Sequence, residues 1–181
     1  MALNETNKAS QPEVWLRGPI PGITGQLQPV AHALLQAAEE IEKLMDGFSD
    51  RLLWNSPGGV ASPAFHLQHI PGVISRLTSY ANNQQLNNEQ LKYLSEEGLE
   101  KPGVSAKQLT EKAIEAIQHA VKNLRNYTPE LLSQPRGVGR KNLPSTVAGL
   151  LFHSAEHTMR HVGQLLVTVR VLRNGETAHF P

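Results

Sequence analysis

The chain has 181 residues, the length of one domain with a sizeable buried core. Its 17 basic and 16 acidic side chains nearly cancel, so no long-range field marks it for nucleic acid or a membrane surface. There is no cysteine. That excludes disulfides, a thiol nucleophile and cysteine-ligated zinc, leaves histidine, carboxylate and water as ligands for any metal, and fits a cytoplasmic protein.

Residues 1–25 are rich in Pro, Gly, Asn and Ser and are expected to form an irregular arm, with Trp15 and Leu16 pinning it to the body. Residues 1–10 lack the apolar core of a signal segment. From Leu27 to Phe48, Val30, Leu34, Ala37, Ala38, Ile41, Leu44 and Met45 keep helical spacing, with Pro29 tolerated in the first turn. Asn55 to Gly59 is a turn cluster. Ser62-Pro63 then starts a second helix, running to about Asn82, with serine as N-cap and proline at the first position. Leu67, Ile70, Ile74 and Leu77 mark its apolar face. His66 and His69 lie beside that face, and Pro71 follows closely enough to bend the helix just after His69.

A short helix is expected from Asn87 to Glu97, ending at Gly98, followed by a break at Lys101-Pro-Gly103. Ser105 to Gln108 is a capping box opening another helix, to about Asn126, with His119 on its exposed side. Thr128-Pro129 opens one brief helical turn. Arg136 to Lys141 is a basic, glycine-bearing loop without the glycine spacing of a phosphate-binding loop. Its arginines suit an anionic substrate if the loop folds back over a cleft. The last helix is expected from Asn142, as N-cap, to Gly175, with a short tail after it. Its apolar stripe includes Val147, Leu150, Leu151, Val162, Leu165 and Val169. No run alternates with period two, so no strand is expected. The pattern is that of an all-α four-helix bundle over residues 26–175, with short additional helices and, between the second helix and the Ser105 helix, a connection long enough to cross the bundle. Residues 1–25 form the arm and 176–181 the tail.

On the last helix, His157 and His161 stand one turn apart at the margin of the buried face, an arrangement that a divalent metal can bridge. In a bundle, a further ligand comes from a facing helix, here His66 or His69. Helical phase slightly favours His66, though Pro71 disturbs the phase locally. Three histidines with one position left for water or substrate make a reactive site rather than a sealed structural one. His153, one turn before His157, and Gln164, three residues after His161, are candidates to orient a ligand or hold water. Glu156 projects away from His157 and is a poor general base.

Two stretches, Ser62-Pro-Ala-Phe-His-Leu-Gln-His69 and His157-Thr-Met-Arg-His161-Val-Gly-Gln164, resemble the DinB-like superfamily of metal-binding four-helix bundles, which includes YfiT-like proteins. The resemblance implies His69, His157 and His161 as the metal ligands. It implies a divalent ion, with zinc, nickel or iron all suited to imidazole. Members include thiol-dependent transferases, isomerases and hydrolases, so the expectation is a metal-dependent enzyme acting on a small molecule, with a low-molecular-weight thiol as possible cosubstrate. A non-catalytic metal-binding or stress-response module is the alternative. No nucleic-acid or membrane partner is expected, and a homodimer is compatible with a bundle of this size.

Overall fold

The computed structural model describes residues 11–177. The chain runs through α1 (Gln28–Met45), α2 (Pro63–Ala81), α3 (Asn88–Glu96), α4 (Ala106–Asn123), α5 (Pro129–Leu132), a hairpin of β1 (Pro135–Val138) and β2 (Leu143–Thr146), and α6 (Val147–Thr177). Local chemistry sets most helix starts. The Ser62 hydroxyl accepts the Phe65 N–H at 3.2 Å, and Pro63 follows it. Asn87 with Gln90, and Ser105 with Gln108, form reciprocal capping boxes. Asp50 adds a further cap, accepting the Ala106 N–H at 2.6 Å. α2 continues as helix through Pro71.

α1 and α2 each pack against both α4 and α6, so α1 and α2 occupy one diagonal of the bundle and α4 and α6 the other. Leu34, Ile41, Leu67, Ile70, Ile117 and Leu165 fill the space between them, with 1% or less of their surface exposed. Gly72 of α2 shares a cavity with Lys112, and Asn82 shares one with Asn123, so α2 and α4 run parallel. The connection over 82–105 therefore returns the chain along the bundle, the crossover its length implies. α6 runs antiparallel to α2, bringing its middle against the first half of α2. No described helix is long and apolar enough to cross a membrane.

Three local expectations change. Residues 135–146 form an antiparallel hairpin with Pro135 opposite Thr146 and Val138 opposite Leu143. Its strands are four residues long and mostly exposed, so they carry no alternation. Asn142 is not an N-cap. It adopts φ 49° in the hairpin turn, where its N–H donates to Gly139 O at 3.0 Å. Thr146 caps α6 instead, its hydroxyl accepting the Gly149 N–H at 3.0 Å, and α6 passes through Gly175 to Thr177. In the arm, Trp15 and Leu16 are exposed and Val14 is the buried anchor. A short 3-10 turn over Val14–Leu16 points Val14 inward, and the Val14 N–H donates to Gln36 Oε1 at 3.0 Å.

Candidate metal centre

α2 carries His66 and His69 one turn apart in its first half, and α6 carries His157 and His161 one turn apart in its middle. Antiparallel packing of the two helices places these four rings together. His69 Nε2 lies 3.0 Å from His157 Nε2, and His161 Nε2 lies 3.0 Å from that same atom. The three ligand nitrogens of His69, His157 and His161 all lie within 4.8 Å of one another.

An imidazole nitrogen carries either one N–H or one lone pair. His157 Nε2 faces two ring nitrogens at once, so one hydrogen bond cannot satisfy both contacts. A cation between the three lone pairs does. With metal–nitrogen bonds of about 2.1 Å, nitrogens 3.0 Å apart subtend roughly a right angle at the ion. The residues thus fit a divalent metal by both donor type and spacing.

Two of the three rings are held from behind. His69 Nδ1 donates to Glu97 Oε2 at 2.6 Å, which fixes the tautomer with the Nε2 lone pair directed inward. The Glu97 side chain is only 4% exposed, and its other oxygen accepts from Arg76 Nη1 at 2.5 Å. His161 Nδ1 lies 2.9 Å from His66 Nδ1. With His161 Nε2 turned to the centre, its Nδ1–H donates to His66. Burial pushes His66 down to about 4, so it is a neutral acceptor at physiological pH. Burial, reinforced by His69, His157 and His66, pushes His161 down to about 3. His157 is lowered for the same first reason, then by His69 and His153. Its Nδ1 is buried and, among the described residues, has no hydrogen-bond partner.

The choice between His66 and His69 therefore has a geometric outcome. His69 joins the converging set. His66, 2% exposed, backs His161. His153 is exposed and stands 3.3 Å from Glu156, which also pairs with Arg160. Gln164 is exposed. The basic hairpin lies at the other end of the bundle. Arg136 donates through Nε to Ala81 O at 2.8 Å, twelve residues beyond His69, or roughly 18 Å along the helix. It closes the C-terminus of α2 and does not fold back over the histidines.

Glu97 and Arg76 are the site residues that sequence reasoning missed. Phe65, Gln68, His69, Gly72 and Arg76 recur at helical spacing along one stripe of α2, and the Glu97-Gly98 turn docks on it. Gln68 Oε1 accepts the Gly98 N–H at 2.7 Å, and Tyr93 Oη donates to Gln68 O at 2.9 Å. Burial pushes Tyr93 up to about 12, so it stays a neutral donor. Gly98 has φ +83°, which favours glycine, and a Cβ there would meet Phe65 at 3.0 Å. At Gly72 a Cβ would stand 2.1 Å from Glu97 Oε1. The Phe65 ring stacks on His69, with centroids 5.1 Å apart and planes 14° off parallel.

The family model of the DinB superfamily matches residues 33–165, which run from within α1 to the apolar stripe of α6 and include all four histidines of the cluster. No curated protein matches the chain. With well over half of its length matched, the chain belongs to the DinB superfamily.

Proposed function

We propose that this DinB-superfamily chain binds one divalent metal through His69, His157 and His161 and acts as a metal-dependent enzyme on a small molecule, as a thiol-dependent transferase or a hydrolase. The observation that carries the reading is the convergence of three Nε2 atoms, one of them on a ring backed by a buried carboxylate. Imidazole donors suit zinc, nickel or iron. Three protein ligands leave a position open, where a bound ion acts as a Lewis acid and lowers the pKa of water or a thiol. Glu97 keeps the proton on His69 Nδ1, His66 accepts the one on His161 Nδ1, and Phe65 covers the flat side of His69. A thiol reactant would come from outside, since the chain has no cysteine.

Elemental analysis of protein purified without a histidine tag tests the centre. One ion per chain is expected, lost in His69→Ala and His157→Ala and retained in His119→Ala. A filled site in His69→Ala would remove it from the ligand set. For the open position, cobalt-substituted protein titrated with 2-mercaptoethanol should develop a thiolate-to-cobalt charge-transfer band. A spectrum insensitive to thiol would count against thiol chemistry.

One observation favours a non-catalytic metal-binding module instead. Both nearby carboxylates are engaged, Glu97 by His69 and Arg76, and Glu156 by Arg160 and His153, so neither is free as a general base. On that reading the cobalt spectrum changes with neither thiol nor pH above 6.

A further inference from the structure

We propose that the open cleft between α2, α3 and α4, behind the Glu97 clamp, is a second ligand site, for a small organic monocarboxylate held between Arg76 and Lys112. The cavity measures about 320 Å³, the lower end of the range of small-molecule sites. Arg76 lines it and is 9% exposed. A guanidinium has five N–H donors in a planar fork. Arg76 commits Nη1 to Glu97, and among the described residues its Nε and Nη2 have no protein acceptor. Two uncommitted donors of a planar fork beside a cavity suit a carboxylate.

The other walls set what else the ligand carries. Lys112, on α4, lines the same cavity and supplies a second cation. Pro71, the Gly72 backbone and the Tyr93 ring make an apolar floor. The Tyr93 hydroxyl is turned away to Gln68 O, and the Gln90 amide nitrogen is held by Ser75 and Ser79, so neither competes for the ligand's polar end. Glu97 balances Arg76 from behind, and Glu89 at the edge adds a second negative charge. The four charges sum to zero, which disfavours a dianion such as phosphate; one carboxylate on a compact apolar body is held by direct contact with the two cations.

Benzoate is the probe, in calorimetric titration of the full-length protein, with benzamide as its uncharged isostere and inorganic phosphate as the polyanion. Benzoate is expected to bind at least tenfold more tightly than either. Lys112→Ala, at an exposed position on α4 outside the histidine cluster, should weaken benzoate at least fivefold. Benzoate should still bind His157→Ala, weakened by no more than about fivefold through loss of the coupled metal, which separates this cavity from carboxylate binding at the metal centre, where loss of the ion would abolish binding. No heat with benzoate at millimolar concentration, equal affinity for benzamide, tighter binding of phosphate, or an unchanged affinity in Lys112→Ala each overturns the proposal. Loss of benzoate binding in His157→Ala would assign the carboxylate to the metal and overturn it as well. The metal assignment itself is read separately, from elemental analysis of the same samples.

Discussion

Glu97 holds His69 with one carboxylate oxygen and Arg76 with the other, and burial strengthens both contacts. Carboxylates that orient ligating imidazoles in this way typically set 10–100-fold of metal affinity. Glu97→Ala is therefore expected to weaken zinc binding by roughly that factor without emptying the site at saturating metal. Glu97→Gln, which still accepts from His69 Nδ1, should recover part of the loss. Competition against a chromogenic chelator measures both, and equal affinities for wild type and Glu97→Ala would show that the carboxylate only packs. His66 and His161 make a second residue-scale prediction. Their pKa values are depressed in the folded chain, to about 4 and about 3, against an ordinary value near 6.5. Between those limits the unfolded chain binds more protons than the folded one. Stability of the metal-free protein is thus fully present above about pH 6.5 and is lost as pH falls toward 4. Urea unfolding at pH 7.5 and pH 5 should show a lower midpoint at pH 5, and identical midpoints would contradict the burial of these rings.

The stripe on α2 from Phe65 to Arg76 is the element on which the site depends, and two glycines show how. An alanine in place of a mid-helix glycine usually gains roughly 0.5–1 kcal/mol. At Gly163, in α6, nothing among the described residues beyond the helix's own neighbouring backbone stands within 4 Å of the added methyl, so Gly163→Ala should raise stability by about that amount. At Gly72 the methyl would stand 2.1 Å from Glu97 Oε1 and 2.7 Å from Arg76 Nη1. Gly72→Ala is expected to lose the helical gain, displace the Glu97-Gly98 turn and weaken metal binding in the same direction as Glu97→Ala. Thermal melts and metal titrations of the two variants check the contrast. Retained affinity in Gly72→Ala would mean that the turn yields without cost. This element also shows what the sequence made legible. Ser62-Pro63, Asn87 and Ser105 announce helix starts because capping is chemistry within a few residues. His157 and His161 stand out because one turn of helix relates them. Helical phase could not choose between His66 and His69, because both flank the apolar stripe and the choice depends on how α6 packs. Glu97 looked like the end of a short helix, since its contact with His69 spans 28 residues and depends on where the crossover lays the chain down. The hairpin leaves no period-two signal because its four-residue exposed strands bury no alternating face.

At the scale of the whole molecule, the crossover joins two sites through one ion pair. The 82–105 segment lays α3 along α2, and Tyr93 and Gln90 then wall the cavity while Glu97 reaches the histidines. Arg76 belongs to both places. A carboxylate bound in the cavity would draw hydrogen bonding and charge from Arg76 and so relieve Glu97 of part of its counter-charge. A less neutralised Glu97 pulls harder on the His69 Nδ1 proton, makes Nε2 a stronger donor and tightens the metal. The expected sign is positive coupling, with saturating benzoate raising zinc affinity roughly threefold, a little under the usual range of about 5–150-fold for linked sites. Thermodynamic linkage then requires zinc to raise benzoate affinity by the same factor. Titrating zinc with and without benzoate, and benzoate with and without zinc, gives both numbers. In Glu97→Gln, whose neutral amide no longer balances Arg76, the coupling should fall away even if both ligands still bind. Coupling that persists in Glu97→Gln would have to travel by another route, and the shared ion pair would then be no more than a neighbour to both sites.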